Sequence, residues 1–138
     1  MYKRQQNKRK RNYAVKRTGI KDENIDRQIT VIHKAIGLKL LAFHSRGDKS
    51  LLAQVQNTME QRRDEGRMGY GEYLTWLSLL EIIDQDEAFL AGLIEDTPRM
   101  RKLRRRTPFV GILSEDERQS ALDADAIGEL DELSTLFS

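Results

Sequence analysis

Gly71-Glu72-Tyr73-Leu74-Thr75-Trp76-Leu77-Ser78-Leu79-Leu80-Glu81-Ile82-Ile83 is the stretch on which the fold turns. Wound as a helix, it places Tyr73, Leu74, Trp76, Leu77, Leu79, Leu80, Ile82 and Ile83 on nearly every side. A helix without a polar face normally lies at the centre of its domain. The spacing therefore predicts a bundle assembled around residues 71–83.

Upstream, Ile25, Ile29, Ile32, Ile36, Leu40 and Phe43 recur at steps of three and four, the signature of an amphipathic helix. Asp22 is placed to cap it, with Glu23 and Asp26 where the helix dipole favours anions. Gly37 either weakens this helix or lets a neighbour approach closely. Asp48 is a plausible cap for a second helix with the stripe Leu51, Leu52, Val55 and Met59, and Gly66 is suited to end it in the left-handed conformation. Downstream, Phe89, Leu90, Leu93 and Ile94 mark a short fourth helix, and Thr97-Pro98 starts a fifth with Met100 and Leu103 on its apolar side. Ser114-Glu115-Asp116-Glu117 is a capping box opening a sixth. No segment alternates with period two, so the expectation is an all-α, compact irregular bundle of about five or six helices. It divides into a flexible basic N-terminal arm (1–21), a helical core domain (22–113) and an acidic C-terminal helix and tail (114–138).

Charge is sorted along this chain. Residues 1–21 hold nine Lys and Arg and no acid, and residues 99–106 hold six more without an acid. Residues 114–138 hold eight acids against Arg118 alone. The formal net charge of +2 conceals this segregation. Blocks of like charge resist packing and commonly serve as interaction segments.

Several classes are excluded or disfavoured. With no cysteine there is no disulfide, thiolate chemistry or Cys-based zinc site. No apolar run reaches the ~20 residues that span a bilayer, and the basic N-terminus lacks the apolar core of a secretory signal. These features point to a soluble protein of the cytoplasm, with no membrane contact. His33 and His44 lie about 16 Å apart along one helix, too far to share a metal. Asp84-Gln85-Asp86 lacks the ligand and glycine that a calcium loop needs at its fifth and sixth positions. No nucleophile–base arrangement or phosphate-cradling glycine motif is present, so neither an enzyme, a cofactor nor a small-molecule substrate is expected. Ala88 and Gly92 before a basic segment suggest a helix-turn-helix, but Pro98 stands where the recognition helix carries a buried aliphatic residue, and a plain helix pair is preferred.

The expected function is non-enzymatic binding of DNA or RNA, sequence-tolerant, by an accessory or regulatory protein. A cationic segment neutralises closely spaced phosphates and releases their counterions. Lys3, Arg4, Lys8, Arg9, Lys10, Arg11, Lys16 and Arg17 are the candidate contacts in the first block, and Tyr2 and Tyr13 could stack on exposed bases. Arg101, Lys102, Arg104, Arg105 and Arg106 are the candidates in the second; arginine's planar fork suits two-point contact with phosphate. The competing expectation for this second block is internal salt bridging to Asp84, Asp86 or the C-terminal acids.

The alternative function is a protein-interaction adaptor. In it the basic blocks meet an acidic partner, and the C-terminal amphipathic segment docks through Leu133, Leu136 and Phe137. The run Glu132-Leu133-Ser134-Thr135-Leu136-Phe137 loosely resembles the short peptides that sliding-clamp partners insert into the clamp, with Glu132 where that motif leads with glutamine. The acidic end is also placed to compete with nucleic acid for the basic blocks.

Overall fold

The computed structural model describes the backbone of residues 2–128 and the side chains of residues 22–128. Among these the protein is all-helical: α1 (Tyr2–Ser45), α2 (Ser50–Asp64), α3 (Tyr70–Glu81), α4 (Asp86–Leu93), α5 (Pro98–Arg105) and α6 (Glu115–Ala126). No described helix is long and apolar enough to cross a membrane.

The termini of these helices follow local chemistry. Thr97 accepts the backbone N–H of Met100 at 3.2 Å, and Pro98 takes the first helical position, where its missing N–H costs nothing. Ser114 and Glu117 form the reciprocal capping box of α6. Asp48 accepts the N–H of Ser50 at 2.9 Å and so satisfies one of α2's free donors. At the other end of α2, Gly66 has φ +72, the N–H of Arg67 returns to Arg62 O at 2.7 Å and that of Gly66 to Arg63 O at 3.0 Å. This pair of bonds is a Schellman closure, which needs a left-handed residue where glycine stands.

The core joins Ile36 and Leu40 of α1 to Val55 and Met59, Trp76 and Leu80, Phe89 and Leu93, Met100 and Leu103, and Phe109 and Ile112. Trp76 is wholly buried and meets Phe109 edge-on, with ring centroids 5.4 Å apart. Two expectations need correction. The spine of the bundle is α1, which packs on α2, α4, α5 and α6, whereas α3 packs mainly on α2 and α4. And α3 is not enclosed all round: Tyr70 and Leu74 face solvent. The period of α1 allows one stripe to serve four neighbours, while the short α3 covers only its Trp76–Leu80 side.

Helix α1 also runs back past Asp22 to Tyr2. The Lys, Arg and Gln of that stretch are good helix formers, and no proline interrupts it. Gly37 acts through close approach: a Cβ there would come within 2.7 Å of Leu90 Cδ2 and 2.9 Å of Leu93 Cδ2. Near the far end of α1, Lys39 donates to Glu117 at 2.7 Å and to Ile112 O at 2.8 Å. Burial alone would raise the Glu117 carboxyl; the hydrogen bonds from Lys39 and Ser114 outweigh it and hold the group below its usual range.

Candidate nucleic-acid interface

The second basic block is α5 and its cap. Met100 and Leu103 face the core, and on a helix the residue four past Met100 shares that face. That residue is Arg104, which is 1% exposed. Its Nη1 donates to Leu93 O at 3.2 Å and Glu95 O at 2.8 Å, the carbonyls left free at the end of α4. Its Nη2 is buried without a partner, and no carboxylate lies within ion-pair distance among the described residues. Burial pushes this guanidinium's pKa down, opposed by the fields of Asp96, Asp26 and Glu95. The assignment of Arg104 as a phosphate contact is thus corrected: it closes α4 from inside and has no face to offer solvent.

Its neighbours are tied to the protein's own acids. Arg101 Nε donates to Asp96 at 2.7 Å. Arg105 Nε donates to Asp26 at 2.7 Å, and its Nη2 lies 3.8 Å from Asp22, so it grips two successive turns of α1. The hydrogen bond to Asp26 raises its pKa. Arg106 Nη2 donates to Arg67 O at 3.2 Å and lies 3.8 Å from Glu72. Lys102 is exposed. Internal pairing therefore prevails for most of this block, but through Asp22, Asp26, Glu72 and Asp96. Asp84 instead holds His44, Nε2 to Oδ1 at 2.6 Å. Lys3, Arg4, Lys8, Arg9, Lys10, Arg11, Lys16 and Arg17, together with Leu133, Leu136 and Phe137, lie outside the residues whose side chains are described.

A cationic cleft that the sequence did not single out lies beside the cap of α5. Arg62, Gly66, Arg67, Met68, Glu72 and Arg106 enclose about 480 Å³. The Schellman turn at Gly66 folds Arg67 back over the end of α2. Arg62 donates to Arg106 O at 2.7 Å, which ties that turn to the end of α5. On the adjoining surface the Arg63 guanidinium lies 5.1 Å from the Tyr70 ring centroid and 4.7 Å from that of Tyr73. The cue was available in part: Gly66 fixes the turn, and Arg62 and Arg63 end the helix before it. What brings Arg106 there is packing.

Taking the nine bases of 1–21 from the total of 24, and the three acids of 129–138 from 22, leaves residues 22–128 with 15 bases and 19 acids. The helical body is net acidic, and the whole cationic excess belongs to 1–21. No protein-family model matches this chain, and neither a curated protein nor a solved structure matches it.

Proposed function

We propose that the protein is a non-enzymatic, nucleic-acid-binding accessory protein whose principal phosphate contacts are Lys3, Arg4, Lys8, Arg9, Lys10, Arg11, Lys16 and Arg17. One observation carries this reading. The acids of the body are used to hold the arginines of α5, while residues 1–21 contain no acid with which their own cations could pair. A dense row of cations exchanges its counterions for phosphates, and the gain grows with each phosphate met. Arg105 seats α5 against Asp22 and Asp26, the first acids after the basic segment. In the cytoplasm, such a protein would hold DNA or RNA with little sequence preference.

The test is fluorescence anisotropy with labelled 20-nucleotide DNA and RNA over a range of salt concentrations. Deletion of residues 1–21 is expected to weaken binding at least about 100-fold at low salt and to flatten its salt dependence. Unchanged affinity and slope would overturn the proposal.

A further inference from the structure

The cleft beside α5 has a chemistry that phosphate contact alone does not explain. Three guanidinium groups, from Arg62, Arg67 and Arg106, share its wall with one carboxylate, Glu72. The Glu72 side chain is 9% exposed, and its Oε2 is buried with no hydrogen-bond partner. A buried acceptor left unpaired costs free energy, so a ligand that supplies a donor there gains what the empty protein forgoes. The three arginines repel any cation, so the donor must belong to a molecule that also carries negative charge. Tyr70, two residues before Glu72 in sequence, is 64% exposed, with the Arg63 guanidinium lying over it at 5.1 Å. An exposed aromatic ring backed by a guanidinium is a stacking surface for a flat heterocycle.

An anion, a hydrogen-bond donor and a flat ring occur together in a nucleotide. We infer that this cleft takes one nucleotide of a single strand. Its phosphate meets Arg67 and Arg106, its base stacks on Tyr70, and an unpaired base amino group donates to Glu72 Oε2. The inference rests on the nucleic-acid reading above and sharpens it, from polyanions in general to strands with unpaired bases. A cleft of about 480 Å³ lies within the range of pockets that hold small ligands. In a duplex the base faces are stacked and most amino groups are paired, so neither Tyr70 nor Glu72 finds its partner. Arg67 already bonds Glu65 at 2.7 Å yet remains 62% exposed, so the guanidinium can meet a second oxygen.

The experiment compares a labelled 12-nucleotide mixed-sequence strand with the same strand in duplex form, using the full-length protein. The expected result is about tenfold tighter binding of the single strand, the scale of one base–aromatic stack. Tyr70→Ala should abolish that preference and Tyr70→Phe should retain it; Arg67→Glu should weaken the single strand more than the duplex. Tyr70 lies in solvent, and a circular-dichroism melt checks that each variant folds. Equal affinity for the two forms, or a preference that survives Tyr70→Ala, overturns the single-strand inference while leaving the role of residues 1–21 in place. Failure of the full-length protein to bind either form overturns both.

Discussion

Two stretches of this chain are dense in arginine and lysine and free of acid, and they differ in what lies between the charges. Residues 99–106 are drawn into the fold: Arg104 is buried, Arg101 and Arg105 are bonded to Asp96 and Asp26, and Arg106 lies near Glu72. Residues 1–21 carry more cations, with no acid among them. The difference comes from what lies within reach. Helix α5 holds two core residues, Met100 and Leu103, which press it onto the bundle and bring its arginines to carboxylates far away in sequence. The first stretch has no comparable apolar stripe. Density of positive charge is therefore a poor guide to binding unless it is read together with the apolar residues between the charges.

The sharpest way to break this contrast is at Arg104. Arg104→Ala removes a buried side chain and strands the Leu93 and Glu95 carbonyls; it should cost about 3 kcal/mol of unfolding free energy. Chemical denaturation measures this. A loss below about 1 kcal/mol would show that Arg104 does not tie α4 to α5.

A second effect of similar scale comes from His33, 2% exposed and beside the end of the same block. Its Nδ1 lies 2.7 Å from Ile29 O, a carbonyl that can only accept, so Nδ1 bears the proton. Nε2 then accepts from the Thr107 hydroxyl at 2.8 Å. Burial, with a lesser contribution from the Arg104 charge, lowers its pKa from 6.5 to about 4, against the raising effect of the Ile29 bond. The unfolded chain takes up a proton below pH 6.5 that the native state refuses until about pH 4. This contribution to stability is thus complete above pH 6.5 and is lost as pH falls through that window, by up to about 3 kcal/mol. Denaturation at pH 7 and pH 4.5 should show the loss, and His33→Gln should reduce it.

The other arm of the contrast predicts binding without stability. Replacing Lys8, Arg9, Lys10 and Arg11 by glutamine should lower affinity for duplex DNA about 30-fold at moderate salt. The slope of log affinity against log salt should fall by about 3 to 4, with the melting temperature unchanged. The smallest effect is expected from Arg101→Gln, whose exposed pair with Asp96 should be worth no more than about 0.5 kcal/mol in denaturation.

Much of the architecture was legible in the sequence because it is written in short-range chemistry. The Ile32, Ile36 and Leu40 part of the first apolar stripe, the Thr97-Pro98 start, the Ser114–Glu117 capping box and the left-handed Gly66 all stand where local rules put them, whereas Ile25 at the head of that stripe is exposed. The misreadings concern long-range packing. Arg104 is the clearest case: arginine is rarely buried, yet its position four past Met100 places it on the inner face. Asp22 does not cap α1, which runs on to Tyr2; that Asp22 and Asp26 instead hold Arg105 depends on how α5 lies across that helix. The cleft is assembled from α2, α3 and the cap of α5, and nothing local to any of them announces the other two.

The clasp around α5 also governs how the chain behaves once it denatures. While the bundle is intact, most cations of 99–106 are spoken for by internal oxygens. On melting, the five arginines of that block come free in addition to the nine cations at the front, and the unfolded polypeptide offers more unpaired guanidinium groups than the native protein. Heat-damaged or unfolded copies should therefore coprecipitate with RNA in a cell extract, whereas intact copies stay dissolved.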